Sequence, residues 1–248
     1  MDHGYSYSYP EHSGEFQLLR KISSYYGTKN QKIVFFDVGA NTGYYAKKVK
    51  DVFNRSVTIY CFEPSTFTYE KLTSNLGDSI VANNFALSNR AGTATLHLDK
   101  DGSGMASLED TEYSPPFGIP TSIAETVNVD TIDNFCRNHS ILKIHFLKID
   151  VEGHEYSVLE GAADKLKSGA IDFIQFEFGR VNIDSSTPLK KFYKLLHKDY
   201  NIYRILQSGL IAQFEYSYEY EIYLGTNFLA VNKLLDEDTN LKKIRSWG

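Results

Sequence analysis

Four short apolar runs meet a carboxylate at or near their ends, and no other feature of the chain restricts its fold as much. Ile33-Val34-Phe35-Phe36 runs into Asp37, Val57 to Phe62 into Glu63, Ile144 to Ile149 into Asp150, and Ile171 to Phe178 carries Glu177. None of them keeps a clean polar alternation, which marks strands buried on both faces of a parallel sheet. Helical stripes lie between them: Tyr45, Val49, Val52 and Phe53 after the first, and Phe67 to Leu76 after the second, behind the start signals Pro64, Ser65 and Thr66. A third stripe, Val158, Leu159, Ala162 and Leu166, runs through a helix from Glu155 to Leu166. Strand and helix in alternation predict an α/β domain, a parallel sheet with helices on both faces.

The remaining segments fit around that unit. A strand is expected near Ser79 to Val81, and Gly92 to Leu98 alternates as a half-exposed hairpin strand should. Asp99 to Ser122 turns to Gly, Ser, Pro and acids, and a loop of that length in a compact domain reads as a lid. Pro188 starts a helix through His197, and Asn201 to Leu206 with Asn227 to Val231 can close the sheet as a terminal hairpin. The expected organisation is an N-terminal extension over 1–32, one domain over 33–232 and a charged tail over 233–248. Aromatic residues at 214, 216, 218 and 220 alternate at strand spacing, which would put the rings on one face.

The chain has 248 residues, 26 Lys and Arg against 31 Asp and Glu, and a formal charge of −5, so a generally basic nucleic-acid surface is not indicated. Its longest apolar runs are too short to span a bilayer, and Cys61 and Cys136 form no metal-like or redox-like pair. A soluble, cytoplasmic chain with reduced thiols, no membrane partner and no nucleic-acid partner is expected. The Tyr5, Tyr7 and Tyr9 alternation reads as a loose or docking terminus.

In an open α/β sheet the ligand lies beyond the carboxyl ends of the strands, where the acids stand. A dinucleotide loop offers glycine amides to a pyrophosphate, and Asp37 beside it would repel that group. S-adenosylmethionine reverses the requirement: it carries a sulfonium and an ammonium and no phosphate, so nearby carboxylates stabilise it. The loop Asp37-Val38-Gly39-Ala40-Asn41-Thr42-Gly43, leading into Tyr44, suits such a donor, with Gly39 and Gly43 letting the backbone approach. Glu63 lies 26 residues after Asp37 and can accept both ribose hydroxyls, with Pro64 behind it. Asn84 and Ala86 follow the third strand and can line an adenine pocket.

Together, Phe35 to Gly43, Phe62-Glu63-Pro64, Ala86-Leu87-Ser88 and Leu147-Lys148-Ile149-Asp150-Val151-Glu152-Gly153-His154-Glu155 resemble the FkbM-type methyltransferases. The resemblance covers roughly Ile33 to Phe178. It implies the Rossmann-like class I methyltransferase fold, a mostly parallel seven-stranded sheet ending in an antiparallel hairpin. It also implies S-adenosylmethionine as donor, S-adenosylhomocysteine as product, and a hydroxyl on a small molecule, often a sugar or glycan, as acceptor.

Within that reading Asp150 is assigned near the reacting centre or the methionyl group, and His154 or Glu152 as the hydroxyl-proton acceptor. Glu155 reads as a first-turn acid, and Glu152 equally as a loop brace. Acids near His154 could hold a divalent ion, but no ligand spacing compels one and no metal site is assigned. Gly102 to Leu108 resembles the family's Ser-rich stretch, which brings Ser103 and Ser107 to the acceptor together with Glu177. Tyr216 and Tyr218 would join them if their rings stack on a sugar. Two other functions are weighed: a SAM-binding module without catalysis, which the same donor-site residues fit equally, and a nicotinamide-dependent oxidoreductase, which Asp37 and the incomplete glycine fingerprint disfavour.

Overall fold

The computed structural model describes residues 13–27, 29, 31–53, 57–76, 80–109 and 123–235. Tyr5, Tyr7 and Tyr9, the second part of the expected lid (110–122) and most of the charged tail (236–248) lie outside them. Helix α1 (Glu15–Gly27) precedes strand β1 (Ile33–Val38), followed by α2 (Tyr44–Phe53), β2 (Val57–Phe62), α3 (Thr66–Asn75) and β3 (Ile80–Asn83). Next come β4 (Ala86–Leu87), β5 (Gly92–Leu98), β6 (Ile123–Asp130), α4 (Ile132–Asn138), β7 (Ile144–Ile149), α5 (Glu155–Glu160) and α6 (Ala163–Lys167). The chain continues through β8 (Ile171–Phe178), α7 (Val181–Asp184), α8 (Leu189–Leu196), β9 (Tyr200–Leu206), β10 (Gly209–Ala212) and β11 (Thr226–Asn232).

One sheet has the order β10-β9-β11-β8-β7-β1-β2-β3. Strands β3, β2, β1, β7 and β8 are parallel, and the central three, β1, β7 and β8, are buried along nearly their whole length, as strands covered on both faces are. Strand β11 inserts antiparallel between β8 and β9, closing the sheet with the hairpin read from the sequence. The sheet has one strand more than seven, because the turn at 207–208 folds β10 back along β9. Strands β4, β6 and β5 form a separate three-stranded sheet. The order reverses direction between β1 and β7, and this switch point is where an open α/β sheet leaves a crevice.

Two cores flank the large sheet. On one face α1, α2 and α3 contribute Leu18, Leu19, Ile22, Val49 and Leu72 against Phe35, Phe146 and Phe173. On the other, α4, α5, α6 and α8 cover Phe36, Leu147, Ile174 and Phe176 with Phe135, Val158, Leu159, Leu166 and Phe192. Residues 15–27, part of the extension foreseen ahead of the domain, are thus a core helix. The Glu155–Leu166 helix is interrupted at Gly161, where a Cβ would stand 2.0 Å from the Ser88 carbonyl oxygen. Cys61 and Cys136 are buried free thiols, and burial pushes the Cys136 thiol up to about 11.

The aromatic alternation of 214–220 does not make a strand, and this is a correction to the periodicity reading. Strand β10 ends at Ala212, and Tyr218–Tyr220 is a single 3-10 turn capped by the Ser217 hydroxyl accepting from Glu219 N–H. A local side-chain cap competes with ladder formation, and Glu221 is drawn away to accept from Leu189 and Lys190 N–H at the start of α8.

Helix α1 is fastened to the sheet by Tyr26, whose hydroxyl donates to Asp172 Oδ2 at 2.7 Å, while Lys143 pairs with the other oxygen at 2.8 Å. Tyr26→Phe removes a buried bond to a charged group and is expected to cost about 1.5–3 kcal/mol. A urea midpoint unchanged from that of the unaltered chain would contradict this account of how α1 is anchored.

Candidate functional site

The loops leaving β1 and β7 touch, and glycine permits it. Gly39 has φ +78°, and a Cβ there would lie 1.8 Å from the Asp150 carbonyl oxygen. Gly39 and Ala40 N–H both donate to Phe62 O, and Asp150 N–H donates to Val38 O, so three strand ends are laced together. Asn41 (φ 47°) and Glu152 (φ 52°) hold left-handed conformations without being glycine. Each such residue carries about 1–2 kcal/mol of strain, which the surrounding hydrogen bonds must offset.

These loops open a cavity of about 690 Å³, its mouth included. Gly39, Asn41, Glu63, Pro64, Ala86, Ser103, Asp150, Glu152 and His154 all line it. Phe62, Leu87, Leu96, Ala106 and Leu108 add apolar walls, several of them from the small sheet and the segment after it. Among the described residues the lining holds three carboxylates and no lysine or arginine. A second, more open cavity of about 590 Å³, its mouth included, is lined by Met105, Glu152, Glu177, Gly179, Arg180, Val181 and Gly225. Glu152 belongs to both and forms the wall between them.

Each carboxylate has its own environment. Glu63 accepts from Asn41 N–H and Ser65 N–H at 3.0 Å each, and burial pushes it up to about 7. Glu155 is buried beneath the turn, where one oxygen accepts from Val151 and Gly153 N–H, and burial lifts it to about 7. It therefore braces the loop as well as opening α5. Glu152 rises to about 8 through burial first and then through Asp150 and Glu155, and Glu177 lies well above the ordinary range for the same kind of reason. Ligand oxygens of Asp150, Glu152 and Glu177 come within 4.8 Å of one another.

Asp37 does not line the cavity. It is fully buried and forms an ion pair with Lys148 Nζ at 3.3 Å, and the same ammonium lies 3.2 Å from Asp150, whose side chain is 42% exposed. Burial opposes the charge on Lys148, but Asp150, Asp37 and Glu15 together outweigh it and hold the ammonium above the usual lysine range. Burial raises the Asp37 carboxyl, with Lys148 opposing.

His154 is bracketed: Nδ1 is 2.7 Å from Glu109 and Nε2 is 2.8 Å from the Ser88 hydroxyl. Ser107 is buried and donates to Glu152 O at 2.6 Å. Asn84 donates to Glu63 O and Pro64 O and so supports the turn without entering the cavity. Gly43 packs against Leu72, and Tyr44 is 45% exposed beside Phe16. Tyr216 donates to Glu221 and packs on Tyr193, and Tyr218 is 78% exposed, so neither ring borders either cavity.

Met105 and Arg180 line the second cavity, and Lys148, Glu109 and Ser88 contact lining residues, none of which sequence reasoning assigned to the site. One signal was available: a lysine inside the otherwise apolar run Ile144–Ile149 needs a buried counter-ion.

A model of the methyltransferase FkbM domain matches residues 37–208. A hexuronic acid methyltransferase, AglP, of Haloferax volcanii is 28% identical over 149 residues, which are 58% of this chain. The match spans 55% of that protein, about half its length. Fibrillarin of Aeropyrum pernix, solved with bound S-adenosyl-L-methionine, superposes at TM-score 0.44 with 14% identity over 87% of this chain and 76% of its own. The N-terminal domain of human METTL16, solved with SAH, gives TM-score 0.45 and 10% identity over 88% and 70%. Likenesses at this level say nothing of ligand or activity.

Because burial raises Glu63 from its ordinary 4.5 to about 7, its contribution to stability is present below pH 4.5 and is lost as pH rises through about 7. Glu63→Gln is expected to flatten the fall in unfolding midpoint between those limits. Equal slopes in the two proteins would show that Glu63 ionises as freely in the folded chain as in the unfolded one.

Proposed function

The chain belongs to the FkbM methyltransferase family, and from that premise we propose that it transfers a methyl group from S-adenosylmethionine to a sugar hydroxyl. The observation that carries the donor assignment is the first cavity's charge: three carboxylates and no lysine or arginine among its described lining residues. A pyrophosphate would meet carboxylates there and no lysine or arginine to pair with, whereas a cation is stabilised. The relative that acts on hexuronic acids supports a carbohydrate acceptor.

The residues fit the donor group by group. Glu63, at the end of β2, retains acceptor capacity for ribose hydroxyls beyond the two amides it already holds. Leu87, Leu96 and Leu108 offer an apolar slot for a purine. Asp150, exposed to the cavity, is the carboxylate for the methionyl cation. When bound, the donor supplies an electrophilic methyl group on a sulfonium.

Everything else falls to the protein. Alignment of acceptor with donor supplies much of the acceleration in an in-line displacement. Glu152, shared by the two cavities, is the group we assign to accept the hydroxyl proton, and its upward-shifted carboxyl makes it a stronger base than an ordinary glutamate. The second cavity, with Met105, Glu177 and Arg180, is assigned to the acceptor. His154, held by Glu109 and Ser88, ties the segment after β5 to the β7 turn and keeps water from the junction.

Calorimetry with S-adenosylmethionine, S-adenosylhomocysteine and NAD tests the donor, and a stronger response to NAD would overturn it. Transfer from labelled S-adenosylmethionine to a panel of neutral sugars, hexuronic acids and phenols tests the acceptor; transfer to phenols alone would remove the carbohydrate. Turnover should rise with pH through about 8 as Glu152 loses its proton. Glu152→Gln should abolish that limb and lower kcat about 10²–10⁴-fold while donor affinity stays. A retained limb would dismiss Glu152 as the base.

A further inference from the structure

Strands β1 and β7 set Asp37 directly opposite Lys148, partners in the parallel register and on the same face of the sheet. From there the lysine reaches forward: its ammonium lies 3.3 Å from Asp37 Oδ1 and 3.2 Å from Asp150 Oδ2. The other sides are walled. The Tyr45 ring centroid is 4.9 Å away, its hydroxyl donates to Gln175, and Gln175 donates to Glu15 at 2.6 Å. Asn227 and Ser13 fix Glu15 in turn. Lys148 is 5% exposed at its side chain and Asp37 wholly enclosed, so neither charge can turn to water.

Of the two carboxylates on this ammonium, only Asp150 reaches the cavity. Lys148 is also the only ionic partner of Asp150 among the described residues. The two carboxylates in contact with this ammonium leave, with it, a single negative charge at the cavity wall, while Glu15 lies behind Tyr45 and Gln175. The donor's methionyl end, with a sulfonium, an ammonium and a carboxylate, has a single positive one. Without the lysine, Asp37 and Asp150 would repel each other beside Glu152 and Glu177, and Asp150 would be free to swing outward.

Resting on the donor reading above, we propose that Lys148 is a positioning residue for the methyl donor. It neutralises Asp37 and fixes Asp150 at the cavity wall, so that one carboxylate charge meets the donor's cation. On this view Asp37 serves the site through Lys148 and touches no ligand.

The test is a double-mutant cycle read by calorimetry with S-adenosylhomocysteine, whose ammonium remains after methyl loss. Removing both buried charges at once, Asp37→Asn with Lys148→Met, avoids stranding either one, and thermal unfolding checks that the variant folds. The expected result is an affinity loss of about tenfold, a similar loss for Asp150→Asn, and for all three changes together little beyond Asp150→Asn alone. A merely structural lysine would give losses that multiply, and multiplication overturns the proposal, as does an affinity within about threefold of the unaltered chain in the paired variant. Should that variant not fold, Lys148→Arg decides. A folded arginine variant should keep affinity within about threefold because the guanidinium can still bridge both acids, and a tenfold loss would overturn the proposal. Failure of the unaltered chain to bind S-adenosylhomocysteine overturns the donor reading as well, whereas multiplying losses in a chain that binds it overturn the lysine's role alone.

Discussion

Lys148 sits where water cannot follow, between a carboxylate on the neighbouring strand and one on the loop beyond its own. Charges buried this deeply cost several kcal/mol each unless they are matched, and removal of one partner strands the other. The packing around them is arranged accordingly. Tyr45 from α2 and Glu15 from α1 close the space, and Gln175 from β8 links them. Two helices and three strands thus converge on one ammonium, and the open end of the convergence is the cavity.

The same region concentrates backbone strain. Gly39 lets the β1 loop lie against the Asp150 carbonyl, closer than any side chain would allow. Asn41 and Glu152 occupy left-handed conformations on the two facing loops. Hydrogen bonds donated by backbone N–H groups to Phe62 O, Val38 O and the Glu155 carboxylate stabilise this geometry. The result is a floor from which Asp150 faces the first cavity and Glu152 stands at the boundary with the second.

Much of this was legible in the residues. Apolar runs ending in acids identify parallel strands, and the rule that ligands bind beyond their carboxyl ends selects Gly39, Asn41, Glu63, Ala86, Asp150, Glu152 and His154, which do meet in one cavity. Asp37 carries the same signal and yet faces the interior, because alternation along β1 turns it to the α1–α2 face beside Lys148. Tyr216 and Tyr218 show strand spacing, but a serine cap and the demand of the α8 N-terminus for a carboxylate bent the segment into a turn. Glu109 gave no local hint of its bond to His154, 45 residues away.

Sequence alone determined what depends on period and on residue chemistry over short range: the alternating strands and helices, the glycine turn after β1, the acids at strand ends. The argument against a pyrophosphate, which began from Asp37, passes in the folded chain to Glu63, Asp150 and Glu152, since Asp37 itself is enclosed with Lys148. Only the tertiary structure decided which of those acids line the cavity and which one is enclosed behind a buried lysine. That choice rests on cross-strand register and on desolvation, both set by residues far apart in the chain. The division into two cavities likewise exists only after β8, the 103–108 segment and the β7 turn have closed on Glu152.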